Sequence, residues 1–117
     1  MPNALPKSPL IVQSKAVEGA GMAISLALRV PAPLKSLGDQ VIRSASSVAA
    51  NLAEGHGRTG RDRAYHWRVA YGSAKEVDTH LQLLVLARAV EGRRARKALV
   101  LFDEVRAMTW RLLNPRP

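Results

Sequence analysis

The sequence contains no cysteine, and only 4% of its residues are aromatic. The absence of thiols excludes disulfides, thiolate zinc sites and cysteine nucleophiles, and nothing indicates an oxidising compartment. The scarcity of rings leaves few platforms on which the bases of a single-stranded nucleic acid could stack. Most of the aromatics have the spacing of a helical core, with Tyr65 as the candidate for an exposed ring. They are Tyr65, Trp67, Tyr71, Phe102 and Trp110.

Long apolar runs are also absent. No window reaches the roughly 20 apolar residues that a membrane helix needs. The apolar stretch near the N-terminus is interrupted by Gln13, Lys15 and Glu18 and contains Arg29, so it lacks the hydrophobic region of a secretory signal. We therefore expect a cytoplasmic protein with no membrane association.

Negative charge is scarce. Nine Asp and Glu residues stand against 18 Lys and Arg residues, which gives a formal net charge of +9. A surplus of this size in a small domain favours a polyanionic partner, because neutralising phosphates releases counterions. Charge alone does not distinguish RNA, DNA, an acidic protein and an anionic membrane as that partner.

Helical periodicity runs through almost the whole chain. Apolar residues recur every three or four positions, and no segment alternates with the period of a strand. Three stripes stand out: one contains Val41 and Val48, one contains Trp67 and Val77, and one contains Phe102, Val105 and the polar Thr109. A chain of 117 residues is long enough for one domain with a modest core. Because the connections are short, the predicted fold is all-α, an antiparallel up-and-down four-helix bundle over 9–113. The predicted helices are 9–30, 37–54, 60–91 and 93–113, with tails at 1–8 and 114–117.

Two helix starts have the spacing of a capping box. Ser36 is followed three residues later by Asp39, and Thr59 is followed by Asp62. In each pair aspartate replaces the usual glutamate. Both serine and threonine are therefore predicted to cap the helices that follow them.

The segment EGHGRTGRDR at 54–63 contains the glycine spacing of a dinucleotide-binding loop at Gly55, Gly57 and Gly60. A Rossmann loop requires a preceding strand and a βαβ unit, and the residues before Gly55 continue a helix instead. The glycines are better explained as a helix stop and a turn. Gly55 and Gly92 are each predicted to occupy the left-handed position that ends a helix.

The first helix carries more apolar surface than one stripe explains. Met22, Ile24, Leu26 and Leu28 spread over more than one face. A helix that is apolar around much of its circumference is buried on two sides. In a bundle this small the second side is most simply another subunit, so we expect a homo-oligomer.

Several short motifs resemble a known family. They are QVIR at 40–43, SV at 47–48, NLAEGHGR at 51–58 and AYGSAKE at 70–76. Together they resemble the bacterial four-helix bundle proteins first noticed as open reading frames in intervening sequences of 23S rRNA genes. The residues carried over as the structural motif are Arg43, Asn51, Glu54, Gly55, Gly57 and Glu76.

The resemblance covers 36–113 and implies an antiparallel bundle that assembles as a ring, commonly a pentamer. The accessory variability proteins of diversity-generating retroelements share this fold. They are basic and work with a reverse transcriptase and its RNA template. The resemblance therefore favours RNA over DNA as the nucleic-acid partner, and it leaves DNA open.

Half of the positive residues cluster around the second and third connections. An antiparallel bundle places these connections at opposite ends, so a ring would carry two positive rims. Because the planar guanidinium group suits phosphate, we predict a nucleic-acid-binding surface there. Its residues are Arg58, Arg61, Arg63, Arg68, Arg88, Arg93, Arg94, Arg96 and Lys97. A solvated basic surface that keeps the protein soluble is the alternative.

Asn51, Glu54 and Glu76 are the polar residues nearest the expected interior. They could form a catalytic carboxylate pair, or a polar network that fixes helix register, and we expect the network. Glu76 and His80 lack enough nearby ligands for zinc, so we expect no metal, no cofactor and no catalytic residues. The leading hypothesis is a non-enzymatic, oligomeric protein that binds the backbone of RNA, or of DNA, electrostatically. The alternative is a scaffold for an acidic protein.

Overall fold

The computed structural model describes residues 7–116, and within them the chain is entirely helical and turn. Residues 1–6 of the predicted N-terminal tail, and Pro117 of the C-terminal one, lie outside the described residues. A short 3-10 helix at Ala32–Leu34 leads into the second α-helix. The α-helices are α1 (Lys7–Ala27), α2 (Lys35–His56), α3 (Gly60–Leu86) and α4 (Gly92–Leu113).

The helices form an elongated bundle that measures 51 × 23 × 22 Å. Helix α1 packs against α2 and α4, and α3 packs against the same two helices from the opposite corner. Short connections make successive helices antiparallel. The predicted all-α fold of four helices is therefore confirmed. Over the described residues, no helix combines the length and the apolar character needed to cross a membrane.

The predicted apolar stripes of α2, α3 and α4 form the core. Val41, Val48, Val77 and Phe102 are fully buried where these stripes meet. Thr109, the polar member of the α4 stripe, is also fully buried, and its Oγ1 donates to the carbonyl of Val105 at 2.6 Å. The hydroxyl is satisfied within its own helix, so its burial leaves no orphaned donor.

Helix α1 has small side chains inside and larger apolar ones outside. Its buried residues are Val12, Ala16, Ala20, Ala23 and Ala27. Its exposed apolar residues are Leu10, Ile11 and Val17, and the exposed Leu28 follows directly after its end. Leu10, Val17 and Leu28 are seven and eleven residues apart, so they lie along one line of the helix surface. Met22, Ile24 and Leu26, which the sequence suggested for a second apolar face, are instead half-buried against the core, and Leu28 is exposed as expected. A second apolar face is nevertheless present along Leu10, Val17 and Leu28, and no helix within residues 7–116 covers it.

The capping-box prediction is wrong for α2 and half right for α3. The 3-10 turn already supplies helical backbone, so α2 begins at Lys35 and Ser36 lies inside it. Asp39 pairs with Lys35 instead, at 3.0 Å. Thr59 does precede α3 with extended backbone, but its hydroxyl makes no capping hydrogen bond.

Gly55 does not end a helix, which corrects the prediction. It is buried within α2, and a Cβ atom there would lie 2.6 Å from Cδ1 and Nε1 of Trp67. Such a distance is far inside van der Waals contact, so glycine is required for α2 to approach α3. Gly57 follows α2 with ordinary right-handed backbone at φ −83°.

The end of α3 was predicted at 91, and it lies at Leu86. Arg88 follows with a left-handed φ of +62°. The backbone N–H of Ala89 donates to the carbonyl of Leu84, and that of Arg88 donates to the carbonyl of Val85, each at 3.0 Å. This is a Schellman motif with arginine at the position that glycine normally takes. Gly92, predicted to end α3, is the first residue of α4.

Candidate nucleic-acid interface

The two basic clusters lie at opposite ends of the bundle. Helix α3 has 27 residues, so the connections at 57–59 and 87–91 are separated by about 40 Å. We call these the 57–59 end and the 87–91 end. A single short ligand segment cannot reach both.

At the 57–59 end, Arg61 and Arg68 are exposed on the first turns of α3. Because α4 is antiparallel to α3, its C-terminal end brings Arg111 and Arg116 to the same end of the bundle. Both are exposed. The prediction omitted them because they are distant in sequence, although the antiparallel topology alone would have placed them here.

Arg63 makes contacts that stabilise the fold. Its Nε donates to the carbonyl of Gly55 at 3.0 Å, and its Nη2 donates to the carbonyl of His56 at 3.3 Å. The guanidinium also lies 5.4 Å from the centre of the Trp67 ring. The last carbonyls of a helix have no partner in a following helical turn, and they carry partial negative charge. Arg63 donates hydrogen bonds to two such carbonyls. Arg63 was predicted to belong to the nucleic-acid-binding surface, but its guanidinium group donates to the carbonyls at the end of α2 instead.

Arg58 is engaged by carboxylates. Its Nε and Nη2 donate to Oε2 of Glu54 at 3.0 and 2.8 Å, and its Nη1 lies 3.7 Å from Asp62. The hydrogen bond from Arg58, and then its charge, lower the pKa of Glu54. The same pair raises the pKa of Arg58. Arg58 is thus exposed but largely neutralised, and it offers less to a phosphate than its unpaired neighbours.

The 87–91 end also contains two neutralised cations. Nε of Arg94 lies 3.2 Å from Glu91, and Nζ of Lys97 lies 3.2 Å from Glu18 of α1. The second contact connects α4 to α1 across the bundle. These two members of the predicted interface therefore have carboxylate partners.

Three other predicted residues of this end, Arg88, Arg93 and Arg96, are exposed, and none has a carboxylate at ion-pair distance within residues 7–116. Arg29 joins them, because α1 ends at the same side of the bundle. As with Arg111 and Arg116, the topology brings in a residue that the local sequence did not indicate.

Nearly all of the carboxylates are used inside the molecule. Across residues 7–116, Glu76 is the one Asp or Glu side chain without a Lys or Arg partner at ion-pair distance. The exposed arginines at the two ends therefore have no further acidic groups nearby to offset them. The excess positive charge of the chain, which has a formal net charge of +9, is therefore concentrated on those side chains.

Asn51 belongs to a chain of hydrogen bonds between α2 and α3. Its Nδ2 donates to the carbonyl of Ser47 at 2.9 Å, and its Oδ1 lies 2.9 Å from Nδ1 of His66. Since Oδ1 can only accept, Nδ1 of His66 carries the proton. The hydroxyls of Ser47 and Ser73 complete the chain at 2.9 Å. Asn51 therefore takes part in a satisfied polar network that fixes the register of the two helices.

Glu54 and Glu76 lie outside that network, contrary to the prediction. Both are exposed. Asn51 is level with His66 and Ser47 with Ser73, so the two glutamates are about 15–20 Å apart along the bundle. A catalytic carboxylate pair has no geometric support. Arg43 is exposed as well, and within the described chain no three His, Asp or Glu side chains are placed to hold a metal ion.

These features define a class of protein, an all-helical bundle of four antiparallel helices with exposed arginines at both ends. The sequence profile of the 23S rRNA-intervening sequence protein family matches residues 9–111. The chain belongs to that family, and the resemblance seen in the sequence is confirmed.

A solved structure gives the same result for the fold. It is a crystal structure of a protein of unknown function from the S23 ribosomal protein family of Bacteroides thetaiotaomicron. The two structures superpose with a TM-score of 0.81 and share 20% sequence identity. The match covers 91% of this chain and 97% of the Bacteroides chain. Identity this low supports the fold alone. Among curated proteins, none matches this chain.

Proposed function

We propose that this protein binds RNA through the phosphate backbone and has no enzymatic activity. The observation that carries the proposal is the set of exposed arginines at the two ends that no carboxylate of the described chain neutralises. Arginine presents a planar fork of donors that matches phosphate geometry. Each phosphate contact releases condensed counterions, and this release drives binding without reading sequence.

The cations available for this role differ from those that the sequence indicated. They are the exposed Lys and Arg side chains without a carboxylate at ion-pair distance in residues 7–116. They are Arg29, Arg43, Arg61, Arg68, Lys75, Arg88, Arg93, Arg96, Arg111 and Arg116. Four lie at each end and two lie between, so the surface suits an extended polyanion or two separate ones.

The choice of RNA over DNA rests on the family, whose description names an intervening sequence of 23S rRNA. A role beside a reverse transcriptase is a narrower form of the proposal. It is supported by the resemblance to the accessory variability proteins and by the basic charge. Co-purification with a reverse transcriptase encoded beside the gene tests it directly.

The test of RNA binding is its dependence on salt. With roughly six phosphate contacts, affinity for RNA should fall about 10³-fold between about 50 and 200 mM salt. A variant with serine at four unpaired arginines, two from each end, should lose most of the affinity. The four are Arg61, Arg68, Arg93 and Arg96.

A matched control removes the same formal charge from cations that already have carboxylate partners. It carries serine at Lys15, Lys35, Arg94 and Lys97. The control should bind RNA much more tightly than the first variant. Equal affinities would show that only net charge matters, and that the proposed surface is not the binding site.

One observation favours the alternative of an acidic protein partner. A groove of about 1110 Å³ runs along the outer side of α3 and α4, with Leu99 and Val100 on its surface and Arg93 and Arg96 beside them. An amphipathic helix with acidic residues would match this combination. If the purified protein has no affinity for RNA or DNA even at low salt, this alternative replaces the proposal.

We also propose that the protein is a homo-oligomer in which α1 contacts another copy. Leu10, Val17 and Leu28 form an uncovered apolar line on that helix. Lys15 and Glu18 are paired with α4, so residues 9–28 present no unpaired charge. Two copies of a chain with charge +9 repel each other least across such a face. A pentameric ring is the form that the family resemblance implies.

A further inference from the structure

Trp110 is the most exposed large ring on α4, and the sequence had suggested a core position for it. It lies beside buried Thr109 but on the outer side of the helix, with 51% of its surface exposed. The second tryptophan, Trp67, is only 7% exposed. A large aromatic ring that remains half in water is available to stack against a ligand.

Two surface cavities share Trp110. One of about 680 Å³ is lined by Trp110, Arg111, Pro115 and Arg116. The other, of about 530 Å³, includes Trp110, Arg111 and Arg116 and extends to Tyr71. The indole and two arginines are therefore common to the linings of both cavities.

The charge around the ring is positive. Arg111 and Arg116 are exposed and have no carboxylate at ion-pair distance in the described part of the chain. Asp103 also lines the second cavity, but it pairs with Arg106, whose guanidinium lies 3.5 Å from Asp78 as well. The acidic group is thus neutralised, and an anion near Trp110 meets two free guanidinium groups.

The end of α4 holds this arrangement in place. The backbone N–H and the side-chain Nδ2 of Asn114 both donate to the carbonyl of Trp110, each at 2.9 Å. The helix stops there and Pro115 follows, which restricts the backbone. Arg116 thereby lines the same cavities as the indole.

We propose that Trp110, Arg111 and Arg116 form a binding site for single-stranded RNA. A base stacks on the indole, and the two guanidinium groups hold the phosphates on either side of it. Stacking rings next to cations are the combination that recognises unpaired strands, because a duplex buries the faces of its bases. This inference rests on the proposed RNA binding and names the form of RNA that this part of the surface takes.

The experiment compares three probes on the full chain, a single-stranded oligouridylate, an RNA duplex with the same number of phosphates, and inorganic polyphosphate. Trp110→Ala should lower affinity for the single strand about 5- to 100-fold, the range of one stacked base. It should leave the affinities for the duplex and for polyphosphate nearly unchanged. Trp110→Phe, which keeps a stacking ring, should retain most of the single-strand affinity. Binding of the oligouridylate should also quench the fluorescence of Trp110 but not that of buried Trp67.

Other outcomes would overturn the inference. If Trp110→Ala binds the single strand as tightly as the wild type does, the ring is not a stacking platform. If it weakens all three probes equally, the ring acts through the fold and not through a base. If it changes the sedimentation of the protein without RNA and leaves RNA affinity intact, the ring belongs to a subunit contact. If the wild type binds none of the probes, the proposed function itself fails and this site fails with it.

Discussion

Gly55 is the residue at which α2 comes closest to α3. Substitution by alanine would place a Cβ atom 2.6 Å from the Trp67 ring, and the ring is enclosed between Gly55 and Arg63. We expect Gly55→Ala to lower the free energy of unfolding by about 1–3 kcal/mol, the usual effect of overpacking. Unfolding in guanidinium chloride, followed by circular dichroism, measures the change in the free energy of unfolding.

Gly72→Ala is the matched control for Gly55→Ala. Gly72 lies in the middle of α3, is exposed, and would have no neighbour within 4 Å of an added Cβ. Alanine there should raise the free energy of unfolding by about 0.5–1 kcal/mol, because it reduces the entropy of the unfolded chain and favours the helix. Equal effects of the two substitutions would show that Trp67 moves aside freely.

Arg88 has the φ of +62° that glycine adopts without steric conflict. A residue with a Cβ atom loses roughly 1–2 kcal/mol in this conformation. We expect Arg88→Gly to be more stable than Arg88→Ala by about 1 kcal/mol, since both remove the charge and only glycine relieves the backbone. Thermal unfolding of the two variants side by side measures the difference. A more stable alanine variant would contradict the left-handed conformation.

At the scale of the elements, the polar chain between α2 and α3 sets their register. Asn51→Ala would leave His66 Nδ1 without its partner. We expect the free energy of unfolding to fall by about 1–2 kcal/mol, the usual consequence of a partly buried donor left unsatisfied. Denaturation in urea gives the value.

Ser46→Ala is the control for the polar chain, because the Ser46 hydroxyl is exposed and bonds only to the carbonyl of Arg43 in its own helix. It should change stability little. A double-mutant cycle between Asn51 and His66 separates their coupling from the rest of the network. Zero coupling would contradict the hydrogen bond between them.

Most of the fold could be predicted from the sequence, because burial imposes a period on the side chains. The stripes containing Val41, Val48, Val77 and Phe102 identified three core faces correctly. The helix ends were less predictable. Arg88 adopts a left-handed conformation that its neighbours in the sequence do not indicate. Gly55 is required by a contact with a different helix.

The candidate site was predictable only in part, for a related reason. Arg63 lies in the same run as Arg61, yet one binds the carbonyls of α2 and the other faces solvent. Sequence gives the number of arginines but not which of them already have partners. The exposure of Trp110 was not predicted, because the apolar character of tryptophan suggested a core position. The neighbouring Thr109 occupies the core position instead.

At the scale of the whole molecule, the proposed homo-oligomer depends on the exposed apolar line of α1. Val17→Glu would place a charge in the uncovered apolar line and should convert an oligomer into a monomer. Val100→Glu is the matched control, since Val100 of α4 is similarly exposed, 50% against 57% for Val17. Sedimentation velocity at micromolar concentration distinguishes the two. A monomeric wild type would remove the proposal, and disruption by the control alone would move the subunit contact to α4.

The alanines on the inner face of α1 have a consequence for how the bundle opens. Each alanine removes little apolar surface from water, so α1 is attached less strongly than α2 or α3, whose inner faces carry valine, leucine and tryptophan. In an isolated subunit, we expect amide hydrogens of α1 to exchange with solvent before those of α2 and α3. A neighbouring copy on Val17 would slow that exchange, so the proposed assembly would protect the helix that is held least strongly.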